Sequence, residues 1–226
     1  MAAMHQAPTI VARRPLREFA VEANNGIIST AGIVEGMMAA DVRNTTVVIS
    51  AVIALVVGTV AAAAARFTDA AYQRDAALSA VADTESRLLA APARELADLV
   101  TIYQEKGLSL ALAEQVADEL SQHDALGAHV EDELDLEEED FISPWWPAGL
   151  SAVAFAAGGV LPLVLSIFIP GNDRLLVTGA AVTLALVITS YVGARVAQTP
   201  PLRTVLRTVT IGVATLALAA LVGSAF

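Results

Sequence analysis

The chain contains no cysteine and is poor in charged and aromatic residues. Without cysteine, neither a disulfide nor a thiolate metal site can form. Charged residues make up 16% of the 226 residues, whereas a soluble domain carries about 25%. Hydrophobic residues make up 56% of the chain. This composition predicts an all-α integral membrane protein that resides in a lipid bilayer.

Signatures of catalysis are also missing. The chain has only three histidines, too few to support a typical zinc catalytic site, and no stretch resembles a nucleophile–base pair or a phosphate-binding loop. We therefore expect no enzymatic activity and no covalently bound cofactor. The first 18 residues are polar and basic, with no signal-peptide apolar stretch close behind their charges. They predict a short cytoplasmic tail.

Five apolar runs are each long enough to cross a bilayer as a helix, because about 20 residues span the ~30 Å hydrocarbon core. The first run carries Glu22, Asn25, Ser29 and Glu35. Polar side chains inside a span usually face a partner helix or a water-filled path. We therefore predict a transport path at these four residues, and Arg66, which follows the second run, is added to the path below from the family resemblance. The five runs cover residues 19–40, 45–65, 144–169, 175–197 and 204–226.

Residues 68–141 interrupt the apolar runs with an acidic helical insert. Seventeen acidic residues lie between Asp83 and Asp140 against three basic ones, a balance that suits cations and argues against nucleic acid. Pro92 predicts a helix start, and Ser109 and Asp124 are predicted N-caps of two further helices. The predicted organisation is a tail over 1–18, spans over 19–67, the insert over 68–141 and spans over 142–226.

The basic residues predict the orientation of the chain in the membrane. Lys and Arg accumulate on the cytoplasmic side of membrane proteins. Five spans with the N-terminus inside place the insert and most arginines in the cytoplasm. The alanine-rich, lysine-poor composition indicates a bacterial plasma membrane. The arginines on the cytoplasmic side are Arg13, Arg14, Arg17, Arg66, Arg74, Arg195, Arg203 and Arg207.

Three stretches carry a resemblance to a known family. They are ANNGIISTAGIVEG at 23–36, the insert sequence from 102 to 134, and GGVLPLVLSI at 158–167. Together with the order of two spans, an insert and three spans, they resemble the vacuolar iron transporter family, including its bacterial and nodulin-like members. The resemblance implies a homodimer whose first spans line an ion path. It also implies transport of Fe²⁺, and often Mn²⁺, out of the cytoplasm in exchange for protons.

The membrane positions depart from the pattern of this family. A first-span aspartate of the family is matched by Asn25, and a glutamate at the end of the second span by Arg66. A guanidinium does not deprotonate in proteins, so an acidic position has become a permanent cation. Glu22 and Arg66 are expected near the same membrane face, and we predict that they form an ion pair. Glu35, nearer the outer end, is a candidate for binding a cation or a proton.

For the insert, the resemblance implies a metal site at Glu95, Asp98, His129 and Glu133. The first Glu-x-x-Glu pair of the family falls on Thr84 and Arg87, so part of its ligand set is missing. His129 and Glu133 have helical i, i+4 spacing, and carboxylate oxygens with histidine suit iron and manganese. An alternative interpretation is that these residues are solvated helix positions.

Two functions follow from these features. The first is a transporter of the divalent cations Fe²⁺ or Mn²⁺, with altered membrane ligands. The second is a membrane relative that binds or senses metal through its insert and does not transport. The overall resemblance favours the first function, whereas Asn25, Arg66 and Ala62, which stands where the family has a methionine, favour the second.

Overall fold

The part of the chain that the structure describes is helical. The computed structural model describes residues 14–136, 138–169 and 174–226, and no β-strand occurs among them. The all-α prediction is therefore confirmed for these residues. The α-helices are α1 (Arg14–Ala39), α2 (Asn44–Ala90), α3 (Pro92–Glu105), α4 (Leu110–Asp132), α5 (Trp145–Phe168), α6 (Arg174–Val196) and α7 (Pro201–Gly223), with a short 3-10 helix at Glu138–Phe141.

The helices form two compact units. The membrane unit contains the described residues up to 67 and those from 145 onward, and the insert unit contains those from 68 to 144. Helix α2 runs through the boundary between the two units at residues 67 and 68. The predicted tail up to residue 13, the turn at 170–173 and residue 137 of the acidic run lie outside the described residues.

Four of the described helices are long and apolar enough to cross a membrane: α2, α5, α6 and α7. Helix α1 is not among them, although it has 26 residues. The reason is its composition, because Glu18, Glu22 and Glu35 lower its mean hydropathy. Four of the five predicted spans thus correspond to apolar helices, and a crossing by α1 stays a prediction.

Helix α1 packs against α5, α6 and α7 in the membrane unit, most extensively against α5. Its Ile27 and Ala31 lie in a core cluster with Val182, Leu186 and Leu216. The crossing with α5 is close, since a Cβ atom on Gly158 would overlap the carbonyl oxygen of Ala23. Small residues allow such backbone approach between membrane helices. The least apolar long helix of this unit is therefore held by three apolar neighbours.

The insert unit is built on α3 and α4. Leu99 and Tyr103 of α3 pack with three buried alanines of α4. Asp124 interrupts α4 with non-helical backbone angles (φ −156°, ψ 88°), and its Oδ1 accepts a hydrogen bond of 2.9 Å from the Gly127 amide. The predicted cap at Asp124 is confirmed. The two helices expected here are both present, and they meet at the kink at Asp124 within α4.

Candidate metal cluster and membrane path

Three of the four predicted ligands of the insert lie together. Glu95 comes from the first turn of α3, His129 from the last turn of α4, and Glu133 from the residue that follows α4. One ligand atom from each lies within 4.8 Å of the others. Glu95 is 5% exposed and His129 is 0% exposed. Asp98, the fourth predicted ligand, is exposed on α3 and does not belong to this group.

The histidine is oriented by its neighbour in the cluster. Nδ1 of His129 lies 2.7 Å from Oε2 of Glu133, and a carboxylate can only accept in such a bond. The His129 Nε2 atom is buried and has no hydrogen-bond partner among the described residues. Histidines that bind metals commonly donate their other N–H to a carboxylate. Nε2 can therefore serve as a ligand while Glu133 orients the ring, and Glu133 can bind the same metal only when its hydrogen bond to Nδ1 is released.

Arg87, in the last turn of α2, supplies positive charge to the cluster. Its Nη2 donates hydrogen bonds to Oε1 of Glu133 at 2.9 Å and to Oγ1 of Thr84 at 3.1 Å. Its Nε lies 3.4 Å from Oε2 of Glu95. Burial alone would raise the pKa of Glu133, but hydrogen bonds from His129 and Arg87 outweigh it and lower the pKa. The hydrogen bond to Glu133 raises the pKa of Arg87 in turn.

A second polar group braces the adjacent end of α4. The Tyr103 hydroxyl donates a hydrogen bond to the Asp132 carboxylate, and the Lys106 ammonium pairs with the same carboxylate. Burial would raise the pKa of Asp132, but these two hydrogen bonds lower it overall. The residue next to Glu133 is thereby fixed against α3. This bracing limits the movement of the carboxylate cluster.

In the membrane unit, α1 has one polar exposed face. Asn25 and Ser29 are exposed, with Val21 and Ile33 on the same face at four-residue intervals. Glu22 is half-buried, and its Oε2 accepts a hydrogen bond of 3.3 Å from Nδ2 of Asn25. The predicted path residues Glu22, Asn25 and Ser29 therefore lie along one side of α1.

Glu35 lies apart from this face. It is 6% exposed, and its Oε1 atom is buried without a hydrogen-bond partner in the described part of the chain. That atom faces α6, because a Cβ on Gly179 would lie 3.0 Å from it. A buried carboxylate oxygen without a hydrogen-bond partner is costly, so a bound cation or proton would relieve this cost.

The predicted pair of Glu22 with Arg66 is wrong. Arg66 forms its ion pair with Glu18, one helical turn before Glu22 on α1. Glu18 and Glu22 are four residues apart and so lie on the same side of α1, and helical spacing alone could not tell which of them pairs with Arg66. Glu22 and Arg66 nevertheless line one cavity of about 590 Å³. Other arginines that line it are Arg17, Arg203 and Arg207.

Sequence reasoning missed the residues that provide the counter-charges. Arg87 was noted only as the replacement of a family glutamate, and its contacts with Glu95 and Glu133 were not foreseen. A signal for Arg87 was available in the sequence. It is one of three basic residues among many acidic ones, and it stands where the resemblance implies a metal ligand. Glu18 gave no comparable signal, since it lay at the end of the expected tail.

Comparison with known proteins identifies the family. The VIT family model matches residues 16–224. A vacuolar iron transporter of Acanthamoeba castellanii is 30% identical over 179 residues, which cover 79% of this chain and 65% of that protein. Vacuolar iron transporter homolog 2 of Arabidopsis thaliana is 35% identical over 97 residues, covering 42% of this chain and 49% of that protein.

Vacuolar iron transporter 1 of Tulipa gesneriana is 22% identical over 211 residues, or 92% of this chain and 85% of that protein. The matched part of the chain thus spans about two thirds of the length of the Acanthamoeba relative and about half of the length of the Arabidopsis relative. The family consists of transporters, which agrees with the expectation that the chain is not an enzyme. Since the family match covers nearly the whole sequence, the chain belongs to the VIT family.

Proposed function

We propose that this protein transports a divalent metal cation, Fe²⁺ or Mn²⁺, across a membrane that it crosses five times. The observation that carries this proposal is the position of α1. It is the least apolar of the long membrane-unit helices, it packs against three apolar helices, and it carries the buried carboxylate of Glu35. Ionisable groups in such positions mark ion and proton pathways.

The exposed face of α1 supports a homodimer as the transporting form. A second copy packed on this face would cover Val21 and Ile33 and bring two sets of Asn25 and Ser29 oxygens together. Fe²⁺ and Mn²⁺ accept such oxygen ligands. The relatives named as iron transporters favour Fe²⁺ as the cargo. Because Mn²⁺ accepts the same oxygen ligands as Fe²⁺, the proposal extends to Mn²⁺.

The direction of transport follows from the charge distribution. With the basic ends of the helices inside, the insert unit is cytoplasmic, and Glu95, His129 and Glu133 collect the metal there. The cation then crosses along α1 and leaves the cytoplasm. Glu35 exchanges it for a proton, because a carboxylate that binds a proton releases a cation. The membrane is the plasma membrane of a bacterium.

Two membrane residues favour a second candidate function. Asn25 offers no charge to a cation, and Arg66 adds a fixed positive charge beside Glu18. These features fit a membrane protein that binds or senses metal through the insert and does not transport. In that case Glu35 would have no role in the response to metal, whereas Glu95 and His129 would be required.

Uptake into proteoliposomes tests the two functions. Purified protein is reconstituted and the uptake of Fe²⁺ and of Mn²⁺ is measured with and without an inward-acid pH gradient. We expect gradient-dependent uptake by the wild type that is lost in Glu35→Ala. Asp41→Asn is the matched control, because this exposed acidic residue follows α1 and its loss should leave uptake intact. Uptake no greater than in empty liposomes would reject transport in favour of the second function.

A further inference from the structure

We propose that Arg87 is an internal cation that competes with metal for the insert cluster and so sets the metal concentration at which the cluster loads. This inference rests on the proposed role of Glu95, His129 and Glu133 as metal ligands. It adds a regulator to that site from a residue on a different helix.

The contacts of Arg87 show the competition. Its guanidinium bonds Glu133 at 2.9 Å and lies 3.4 Å from Glu95, so it neutralises both carboxylates that would bind a metal. A divalent cation on the same carboxylates would repel the guanidinium strongly, because like charges a few ångströms apart are unfavourable in a partly buried site. Metal and Arg87 therefore cannot both hold the two carboxylates.

Arginine leaves the cluster incompletely satisfied. Its contact with the buried Glu95 is an ion pair at 3.4 Å, and the Nε atom of Arg87 that faces Glu95 is itself buried without a hydrogen-bond partner in the described part of the chain. The buried Nε2 of His129 also lacks a partner among the described residues. Buried polar groups without partners are costly. A metal ion bound by Nε2 of His129 would satisfy that nitrogen, and the release of Arg87 into solvent would satisfy its Nε atom.

Arg87 is also the member of the cluster that can move away. Its side chain is 40% exposed, whereas Glu95 and His129 are buried. A long arginine side chain at the end of α2 can turn into solvent when metal arrives, and its hydrogen bond to Thr84, one turn earlier on the same helix, is then the local bond it gives up. Without metal, the same arginine prevents the burial of an unpaired Glu95 charge, which would be strongly destabilising.

Mn²⁺ binding to the full-length protein in detergent tests the proposal. Isothermal titration compares the wild type with Arg87→Gln, Arg87→Lys and Arg94→Gln, and thermal unfolding is followed with and without Mn²⁺. Arg94 is the matched control because it is an exposed arginine of α3 with no side-chain contact in the described part of the chain. Arg87→Lys preserves folding because it keeps a cation beside Glu95. It loses the planar guanidinium that can bond two carboxylates at once.

We expect Arg87→Gln to bind Mn²⁺ at least about tenfold more tightly than the wild type, with Arg87→Lys between them and Arg94→Gln unchanged. Without metal, Arg87→Gln should unfold at a lower temperature, and Mn²⁺ should raise its midpoint more than that of the wild type, because a ligand stabilises the state that binds it. Equal or weaker binding by both Arg87 variants would overturn the competition but leave the proposed metal site in place. If neither the wild type nor the folded variants bind Mn²⁺, both the competition by Arg87 and the proposed metal site are rejected.

Discussion

At the residue scale, Asp132 shows how the insert fixes the end of α4. Its carboxylate accepts a hydrogen bond from Tyr103 and pairs with Lys106. The neighbouring Glu133 belongs to the metal cluster, so the position of that ligand depends on this bracing. Burial and the Asp132 carboxylate together raise the pKa of the Tyr103 hydroxyl. Tyr103 therefore remains a hydrogen-bond donor throughout the physiological pH range.

We expect Tyr103→Phe to destabilise the protein by about 1 kcal/mol, because it removes one hydrogen bond and leaves the packing of the ring intact. A loss of this size lowers the unfolding midpoint by about 2–4 °C in a chain of this length. Thermal unfolding in detergent measures it. Tyr72→Phe is the control, since Tyr72 is 73% exposed and its hydroxyl has no partner in the described region. Equal shifts in both variants would show that the Tyr103 bond contributes nothing.

Individual residues also show what sequence could predict about the cluster. The contact between His129 and Glu133 was predictable because an i, i+4 pair is local, whereas their role as metal ligands came from the family resemblance and stays a prediction. Asp98 is exposed and lies outside the cluster, although residues three apart are neighbours on a helix, so helical spacing alone could not separate it from Glu95. Arg87 and Glu133 are 46 residues apart, and their contact depends on tertiary packing. The partner of Arg66 was missed by one helical turn for the same reason.

At the element scale, the kink in α4 depends on a side-chain cap. Asp124 leaves the helical conformation and caps the following segment through the Gly127 amide. The backbone of Ser109 also occupies an N-cap position, but its side chain makes no capping bond in the described structure. The sequence marked both residues as caps with equal strength. Only the geometry of the chain distinguishes them.

We therefore expect Asp124→Ala to lower the free energy of unfolding by about 1 kcal/mol, the usual contribution of a cap. Ser109→Ala should have a much smaller effect, because it removes no capping hydrogen bond. Thermal unfolding of the two variants, supported by amide hydrogen exchange in α4, compares them directly. If the Ser109 variant lost as much stability as the Asp124 variant, the assignment of the cap would be wrong.

The crossing of α1 and α5 depends on glycine at the point of contact. A Cβ atom on Gly158 would overlap the backbone of Ala23, so a side chain there forces the two helices apart. Gly149 lies earlier on α5, and a Cβ there would meet no atom of the described residues within 4 Å. The two glycines of one helix thus have different roles, which the sequence could not separate.

Gly158→Ala should destabilise the membrane unit by about 1–3 kcal/mol, as overpacking of a close contact does, whereas Gly149→Ala should be neutral. The measurement is the thermal unfolding midpoint of each variant in the same detergent, with the monodisperse fraction after purification as a second readout. The close crossing would be rejected by a Gly158→Ala variant that is as stable as the wild type.

At the scale of the whole molecule, the exposed polar face of α1 and the apolar exteriors of the other helices require different environments. Leu184 of α6 is 59% exposed and suits lipid, whereas Asn25 and Ser29 do not. Amide and hydroxyl groups facing lipid are costly, so this face is better covered by protein. The proposed homodimer covers it with the same face of a second copy, as expected of a two-fold interface.

Because the natural chain has no cysteine, a single introduced cysteine reports on this interface. In a two-fold dimer about α1, Ser29→Cys brings two identical thiols close to the axis, and mild oxidation in membranes should convert most of the protein to a disulfide-linked dimer. Leu184→Cys is the control, since it is equally accessible but lies on a helix that the proposed interface does not use. Non-reducing electrophoresis separates monomer from dimer. If both variants cross-linked to the same low extent, random collision would explain the product, and the path along α1 would have to be formed within one copy.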